Sequence, residues 1–395
     1  MNLRVSALPG WLPAVLALFA PAGGPAAESG PARLADFPVI FYSVDGLSRE
    51  RMETARALGA TVIHSYRLGQ SADARELAWE RRYLDLARQC GLRVMVNLNG
   101  GHWLEDVGGR EHLRALVRHL KDHPALAFWY LYDEPDGRHT PEQVRPLYEL
   151  LKQETPDVPV AVCSAWTAHW AAYTPVLDLT MTDIYPVYDE PFPEARLQHV
   201  TEFTRRAVLQ GKPVIPVLQA INWKCFAPPG GREYRGHEVA RLRYPEAREI
   251  RYWIYGGVAQ GGVVGVAFWS YHHSVEVNPR WMRETLPPLL RELKEFVRLT
   301  APVDRPRVFP APAEARLYLA GWKRRSGSWL VLVNAAPEAR DLDYRFREDF
   351  PAGALVPWGD TRAVSATLAR NHLRVRARPW EVFIWKVAPA AAAAP

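Results

Sequence analysis

The sequence predicts an α/β protein in which a (β/α)8 TIM barrel is followed by a small C-terminal antiparallel β domain. Two observations favour the barrel. Eight apolar runs rich in β-branched and aromatic residues alternate with amphipathic helical segments, and this alternation occupies residues 35–300. A barrel of this type commonly has ~250 residues. A third observation favours the second domain, because short alternating runs separated by turn residues begin after Val303.

The eight predicted barrel strands are apolar runs bounded by polar or turn-forming residues. They are Phe37–Tyr42, Thr61–Tyr66, Leu92–Leu98, Leu126–Tyr132, Pro159–Cys163, Leu177–Tyr185, Pro213–Leu218 and Val263–Trp269. The predicted helices are rich in Arg, Glu and Leu. They are Arg49–Leu58, Asp73–Cys90, Arg110–Lys121, Pro141–Glu154, Glu194–Leu209, Glu246–Gln260 and Trp281–Leu299. The alternative is an open doubly wound sheet, which would need a glycine-rich phosphate-binding turn, and Asp45-Gly46-Leu47-Ser48 is only a simple turn.

The C-terminal β domain is expected over residues 305–388, after the barrel domain at residues 35–300. Its predicted strands are short runs of alternating polarity, namely Arg307–Phe309, Ala315–Trp322, Ser328–Asn334, Asp341–Phe346, His372–Ala377 and Glu381–Lys386. Such a pattern is typical of a sandwich. The polar residues of these runs form no cluster of aromatic rings and carboxylates, so we expect this domain to brace the barrel and not to bind substrate.

The composition is that of a globular protein and excludes several functional classes. The 395 residues carry a formal net charge of +6, but the basic residues are scattered and form no stripe that would fit nucleic acid. Three cysteines do not make a disulfide framework. The 15 tryptophans exceed ordinary usage, and flat indole rings suit sugar rings as well as protein cores.

Residues 1–27 are predicted to be a signal peptide. Arg4 precedes a short apolar run, and small residues around Ala20-Pro21-Ala22 offer a cleavage site. That run is much shorter than the ~20 apolar residues of a membrane-spanning helix, and no later run reaches this length. We therefore expect export to the periplasm or the extracellular space, with no membrane contact beyond export. The pattern predicts no oligomeric state.

Residues at the C-terminal ends of barrel strands carry the function of barrel enzymes. Here carboxylates, amides and aromatic rings leave the predicted strands together, which is typical of a sugar-binding site. The candidates are Asp45, Tyr66, Asn97, Asn99, Trp103, Tyr132, Asp133, Glu134, Trp166, Asp183, Tyr185, Gln219, Trp223, Trp269 and Tyr271. No cofactor is implied. No metal site is predicted either, because the adjacent His272 and His273 have no acidic or cysteine partner at ligand spacing.

The segment Phe128-Trp129-Tyr130-Leu131-Tyr132-Asp133-Glu134-Pro135 resembles the fourth-strand signature of the large retaining clan A of (β/α)8 glycoside hydrolases, which includes cellulase-like and β-galactosidase-like enzymes. Clan members end this strand with Asn-Glu-Pro or Asp-Glu-Pro, and the Glu is their general acid/base. The resemblance therefore implies that Glu134 is the general acid. Asp183–Pro186, Lys212–Ile215 and Val266–Tyr271 are also similar to clan segments in the same order, so the resemblance covers about residues 35–300.

The chain departs from this clan at the end of the seventh strand. Clan members carry their nucleophilic Glu there, whereas Lys212-Pro213-Val214-Ile215-Pro216-Val217-Leu218-Gln219 ends in glutamine. An amide is a very poor nucleophile, and double displacement needs two carboxyl groups about 5–5.5 Å apart. Gln219 is instead expected to hydrogen-bond sugar hydroxyls.

Three interpretations remain open. The first is inversion, with Glu134 as acid and either Asp183 or Asp45 activating water. The second is substrate assistance, in which a 2-acetamido sugar supplies the nucleophile and Asp133 orients it. The third is a barrel that binds carbohydrate without cleaving it. The sequence thus predicts an exported protein that hydrolyses O-glycosidic bonds of an oligosaccharide or polysaccharide through Glu134 and Asp183, with a non-catalytic carbohydrate-binding barrel as the alternative.

Overall fold

A computed structural model describes residues 37–135, 137–165, 170–187, 197–223, 242–273, 279–300, 306–309, 316–324, 327–346, 353–361, 367–369 and 372–389. Its first eight strands form a closed barrel in which every neighbouring pair is parallel. They are β1 Val39–Phe41, β2 Val62–His64, β3 Arg93–Asn97, β4 Leu126–Asp133, β5 Val160–Ser164, β6 Leu179–Asp183, β7 Val214–Gln219 and β8 Val266–Trp269. Pairing of Ile40 with Ala267 closes β1 onto β8. The predicted TIM barrel is confirmed.

Helices follow the barrel strands. They are α1 Arg49–Leu58, α2 Ala74–Gln89, α3 Gly100–Glu105, α4 Gly109–Leu120, α5 Pro141–Glu154, α6 Trp170–Tyr173, α7 Gln198–Leu209, α8 Ala247–Val258 and α9 Pro279–Thr300, with a 3-10 turn at Thr174–Val176. Local chemistry sets several ends: the Thr140 hydroxyl accepts from the Gln143 N–H before α5, and Gly59 ends α1 with φ 117°. The short α3 and α6 were not predicted. Of the described helices, none combines the length and the hydropathy needed to cross a bilayer.

The barrel separates two apolar layers. The interior cluster fills the space enclosed by the strands and consists of Ile40, Tyr42, Val62, Met95, Ala127, Phe128, Tyr130, Ala161, Cys163, Leu179, Met181, Ile215, Val217 and Ala267. A larger cluster lies between the outer faces of the strands and the helices. Strands buried on both faces explain why the sequence shows continuous apolar runs in place of alternation.

The C-terminal strands form two antiparallel sheets. They are β9 Arg307–Phe309, β10 Leu317–Arg324, β11 Gly327–Asn334, β12 Arg340–Arg345, β13 Gly353–Pro357, β14 Thr367–Ala369, β15 His372–Ala377 and β16 Val382–Pro389. One sheet has the order β13-β16-β11-β10-β9 and the other β12-β15-β14. Side chains of both sheets share one apolar core, which includes Leu330, Leu342 and Leu373. The predicted antiparallel β domain is confirmed, although β13 and β14 were not predicted.

The β domain packs on α8 and α9 of the barrel. The Arg251 guanidinium on α8 forms an ion pair with Glu292 on α9 at 2.9 Å and donates to the Val382 carbonyl of β16 at 2.9 Å. Beside this pair, the ring of Phe296 meets the ring of Trp322 edge-on at 5.4 Å. Both charged groups are mostly buried. A buried, hydrogen-bonded arginine thus joins the β domain to the two helices at this interface.

Candidate active site

An irregularity near the end of β4 decides which of its residues enter the barrel. The register between β4 and β5 shifts between Tyr130 and Tyr132, as at a bulge. Regular alternation would place these two tyrosines on the same face. Instead Tyr130 joins the interior cluster, whereas Tyr132 packs outside the barrel with its hydroxyl 2.6 Å from Nδ1 of His139. Asp133 consequently turns inward, and its carboxylate accepts a hydrogen bond from the Tyr130 hydroxyl at 2.6 Å.

Glu134 follows at a sharp turn of the backbone. Its φ is 53°, in the left-handed region that residues with side chains rarely adopt. The Glu134 N–H donates to the Cys163 carbonyl of β5 at 3.1 Å, which ties the turn to the neighbouring strand. The Glu134 side chain is exposed at the barrel mouth, the end of the barrel formed by the C-terminal ends of β1–β8.

Asp183 ends β6 and is only 7% exposed. Its Oδ1 atom has no hydrogen-bond partner among the described residues. Burial raises the pKa of Asp183 well above the ordinary range, and the neighbouring charge of Glu134, whose side chain lies within hydrogen-bonding reach, raises it further. Burial also raises the pKa of Asp133 to about 6, although the hydrogen bond from Tyr130 opposes this rise. Three carboxyl groups from β4 and β6 therefore meet at the mouth.

Cys163 of β5 lies beneath these carboxyl groups. Its Sγ atom and one carboxylate oxygen each of Asp133 and Asp183 lie within 4.8 Å of one another. The thiol is also within hydrogen-bonding reach of Asp183. We name Asp133, Cys163 and Asp183 the mouth triad. Sequence reasoning missed Cys163 as a member of the site, since a single cysteine in an apolar strand is ordinarily a core residue.

His64 at the end of β2 is a second buried polar group that the sequence analysis missed. The residue is fully buried, and neither ring nitrogen has a hydrogen-bond partner among the described residues. Its ring centroid lies 4.6 Å from that of Tyr42, 4.5 Å from that of Tyr66 and 5.5 Å from that of Tyr130. Burial lowers the pKa of His64 to about 3, so the ring is neutral at physiological pH.

Two aromatic residues predicted at the site, Tyr185 after β6 and Trp269 at the end of β8, form a stacked pair. The rings of Tyr185 and Trp269 lie 5.0 Å apart at an interplanar angle of 13°, and both residues are partly exposed. Trp223 supports the pair, because its indole N–H donates to the Tyr185 carbonyl at 3.3 Å. The structure thus brings these three predicted residues together, and the partly exposed rings offer a flat surface to a sugar.

Gln219 at the end of β7 does not present its amide to the mouth. The residue is fully buried. Its Oε1 accepts from the Val187 N–H at 2.8 Å, and its Nε2 donates to the carbonyls of Val187 and Ile221, the latter at 3.1 Å. Both amide hydrogens are therefore engaged with backbone, which leaves none for the sugar hydroxyl that the sequence analysis expected Gln219 to bind. Here Gln219 fastens the segment after β6 to β7.

Three other predicted site residues are buried in packing positions. Trp103 is 2% exposed, and its indole N–H donates to the Leu98 carbonyl. Tyr271 is equally buried, with its hydroxyl donating to the Arg51 carbonyl at 3.1 Å. Tyr132 lies outside the barrel, as described above. In this structure none of these rings faces the mouth, because each finds an apolar environment and a partner for its polar atom within the fold.

The remaining predicted residues lie at the ends of β1 to β3. Asp45 is partly buried and accepts from the Ser65 hydroxyl at 2.6 Å. The Asn97 amide donates to the Leu68 carbonyl at 3.3 Å, and the amide of Asn99 donates to Gln70 at 3.4 Å. Tyr66 is partly exposed beside His64, and its hydroxyl lies within hydrogen-bonding reach of Asp133. Trp166 lies outside the described residues.

Known proteins are similar to this chain in structure, whereas the comparisons of its sequence found no match. No family model matches this chain, and no curated protein matches it. A cyclomaltodextrinase is similar with a TM-score of 0.57 and 11% identity, over 90% of this chain and 78% of that chain. An α-amylase from Geobacillus thermoleovorans, complexed with acarbose, is similar with a TM-score of 0.57 and 8% identity, over 91% of this chain and 100% of that chain.

A glycoside hydrolase family 30 subfamily 8 xylanase from Clostridium acetobutylicum is also similar, with a TM-score of 0.52 and 12% identity, over 89% of this chain and 96% of that chain. Identities this low show the fold alone. The barrel of this chain is therefore shared with glycoside hydrolases, while the chemistry must be argued from its own residues.

Proposed function

We propose that the protein is a glycoside hydrolase that acts on O-glycosidic bonds of an oligosaccharide or polysaccharide, with Glu134 as the general acid. The observation that carries the proposal is the meeting of Asp133, Glu134 and Asp183 at the barrel mouth, which also holds the stacked rings of Tyr185 and Trp269. Carboxyl groups that flank a flat aromatic surface suit protonation of a glycosidic oxygen and binding of a sugar ring. The structural similarity to amylases and a xylanase supports this class of substrate.

The position of Asp183 bears on the mechanism. Carboxyl pairs of inverting enzymes stand ~6.5–9.5 Å apart, which leaves room for the attacking water. Glu134 and Asp183 are within hydrogen-bonding reach, so this pair does not enclose a water in the present arrangement. As the second catalytic group we propose Asp133, which would orient the 2-acetamido group of the substrate. Asp133 adjoins the acid Glu134, and the Tyr130 hydroxyl donates a hydrogen bond to it. Asp45 is the alternative as an inverting base.

The test is the Glu134→Gln variant, assayed on aryl glycosides of glucose, xylose and 2-acetamido-glucose. General acid catalysis contributes about 10²–10⁴-fold, so we expect a rate loss of that size on any glycoside that the wild type cleaves. Binding of the matching oligosaccharide, measured by calorimetry, should change little. Glu105→Gln is the control, since Glu105 is an exposed carboxylate of α3 outside the carboxyl cluster.

The glycoside panel also distinguishes substrate assistance by Asp133 from inversion with Asp45 as the base. Substrate assistance predicts cleavage of the 2-acetamido glycoside alone, with retention of anomeric configuration in the product followed by NMR. Cleavage of the 2-hydroxy glycosides with inversion would favour Asp45. Activity within a few-fold of wild type in Glu134→Gln would contradict the proposal for Glu134.

A carbohydrate-binding barrel without turnover is the second candidate function. The buried amide of Gln219 favours it, because the end of β7 supplies no carboxylate to the mouth. Calorimetric binding of oligosaccharides by the wild type, together with no turnover across the panel, would establish this alternative. Export through residues 1–27 remains part of the proposal, and the mass of the mature protein recovered outside the cytoplasm tests it.

A further inference from the structure

We propose that the mouth triad, Asp133, Cys163 and Asp183, binds a single Zn²⁺ ion at the floor of the barrel mouth. The proposal goes beyond the proposed function and does not depend on it. The sequence analysis predicted no metal because it considered His272 and His273, whereas these three donors come from three different strands and meet only in the fold.

The donor set fits zinc in type and in size. Zn²⁺ binds thiolate sulfur at about 2.3 Å and carboxylate oxygen at about 2.0–2.2 Å, so two ligands of one ion lie within roughly 4.5 Å of each other. The three donor atoms of the mouth triad lie within 4.8 Å of one another. Small side-chain rotations would therefore complete the coordination. A thiolate among the ligands favours zinc over calcium or magnesium, which prefer oxygen alone.

The second, independent observation is the unpartnered oxygen of Asp183. This residue is more than nine-tenths buried, and its Oδ1 atom accepts no hydrogen bond from the described residues. A buried carboxylate oxygen without a donor is costly, and natural proteins ordinarily give such an atom a hydrogen-bond donor, a water or an ion. Its position within the mouth triad points to a cation as the missing partner.

The charge balance of the mouth leads to the same conclusion. Arg138 acts on Asp133 through its charge, yet among the described residues no basic side chain forms an ion pair with Asp133, Glu134 or Asp183. Within the described part of the chain, three carboxyl groups and a thiol therefore share the mouth without a direct basic partner. A divalent ion would balance two negative charges of its deprotonated ligands at the point where these are most deeply buried.

The surroundings of Asp133 resemble those of a metal-ligating carboxylate. The Tyr130 hydroxyl donates to Asp133 at 2.6 Å and the Tyr66 hydroxyl is within hydrogen-bonding reach, so the orientation of the carboxylate is fixed by groups that would not themselves bind the ion. Such outer partners orient ligands and raise metal affinity. Three protein ligands would leave a fourth zinc position for water, which is the arrangement of catalytic zinc sites.

The experiment uses the full chain, stripped with a chelator and checked for folding by circular dichroism. Titration with ZnCl2 should give one tight site by calorimetry and should release protons, because the thiol must lose its proton to bind. Titration with CoCl2 should give a thiolate-to-cobalt charge-transfer band. Tyr130→Phe should weaken zinc binding by about 10–100-fold, as expected for loss of an outer partner, and Cys163→Ser should weaken it further.

Cysteine variants identify the ligand even where Cys163→Ser fails to fold. The double variant Cys90→Ser/Cys225→Ser leaves Cys163 as the single thiol of the chain and should keep the cobalt band at full intensity. Absence of the band from the wild type would overturn the proposal, as would its loss in the double variant or zinc affinity unchanged in a folded Cys163→Ser. A bound zinc takes Asp133 out of the substrate-assisted route and leaves Asp45 as the second catalytic group. Metal binding is measured without sugar, so failure of one proposal is distinguishable from failure of the other.

Discussion

Two neighbouring parts of the barrel mouth differ in whether their buried polar groups have hydrogen-bond partners. On the side of β2, β4 and β6, Asp183 Oδ1 and both ring nitrogens of His64 are buried without hydrogen-bond partners among the described residues. At the end of β7, Gln219 is equally buried, yet its amide oxygen and both of its hydrogens are bound to backbone. The two regions lie side by side, because β6 and β7 are paired strands.

We interpret this difference as one between polar groups available for chemistry and polar groups that stabilise the fold. An unpartnered buried polar atom costs stability, and at the barrel mouth it is available to a ligand, an ion or a reaction. An amide whose oxygen and hydrogens are all hydrogen-bonded to backbone stabilises the fold and has no free donor for a ligand. On this comparison the end of β4 carries the position that we propose as reactive, while Gln219 at the end of β7 belongs to the scaffold.

The largest effect that tests the comparison is the Gln219→Glu variant. A carboxylate there would face the carbonyl oxygens of Val187 and Ile221, to which Gln219 now donates, and no counter-charge from the described residues contacts this position. We expect a loss of about 3–5 kcal/mol in the free energy of unfolding, as for an unpaired buried charge, measured by urea denaturation at pH 7.

Gln260→Glu is the matched control. Gln260 is another buried glutamine whose Nε2 donates to two carbonyls, those of Thr201 and Gly256 at 3.0 and 2.8 Å, although its Oε1 has no partner among the described residues. We expect similar destabilisation there and no effect on sugar binding. A Gln219→Glu protein that is as stable as wild type and forms a covalent adduct with a 2-fluoro sugar would show instead that β7 retains a nucleophile position.

The fold was predictable because hydrophobic periodicity alone indicates where its strands and helices lie. The run Leu92–Leu98 contains β3 at Arg93–Asn97, and the seven other barrel strands likewise fall within or next to their predicted runs. The pattern did not reveal β13 and β14. Strand β13, at Gly353–Pro357, is short, largely exposed and bounded by glycine and proline, so it shows little of the polarity alternation that marks a half-buried strand.

The site was predictable as a set of strand ends but not side chain by side chain. The bulge in β4 places Tyr132 and Asp133 on the faces opposite to those that regular alternation predicts, and no residue type in the run indicates a bulge. Burial of Trp103 and of Gln219 depends on contacts with distant backbone segments, which periodicity does not encode. Neither Cys163 nor His64 could be assigned to the site from the sequence, because their neighbours in space come from other strands.

The second prediction concerns His64 and the pH dependence of stability. The pKa of His64 is about 3 in the folded protein, against about 6.5 in an unfolded chain. Because the folded pKa is depressed, the stability contribution is fully present above pH 6.5 and is lost progressively as pH falls toward 3, where the unfolded chain alone takes up the proton. Between pH 7 and pH 5 the loss due to this residue should be about 2 kcal/mol.

The measurement is urea denaturation of wild type and His64→Phe at pH 7, 6 and 5. A phenyl ring keeps the contacts with Tyr42, Tyr66 and Tyr130 and cannot be protonated, so its difference from wild type should grow in favour of the variant as pH falls. His102→Phe, at an exposed position of α3, should follow the wild-type curve. A constant difference between His64→Phe and wild type across this range would contradict the lowered pKa of His64 in the folded protein.

The smallest effect concerns the aromatic pair that flanks β7. Trp269 and Tyr185 stack at 5.0 Å with partly exposed faces, whereas Gln219, on the strand paired with both of theirs, is buried. If the rings bind sugar and the amide does not, Trp269→Ala should weaken oligosaccharide binding by about 2–10-fold, since an aromatic contact contributes about 0.5–1.5 kcal/mol beyond the area it buries.

Trp269→Phe keeps a ring against Tyr185 and should recover part of that loss, which a purely structural role for the indole would not predict. Gln219→Met, compared by calorimetry at equal folded fraction, should leave the affinity unchanged. Reversal of this order, with Gln219→Met losing more affinity than Trp269→Ala, would return Gln219 to the role of a sugar ligand and would remove the distinction between the two sides of the mouth.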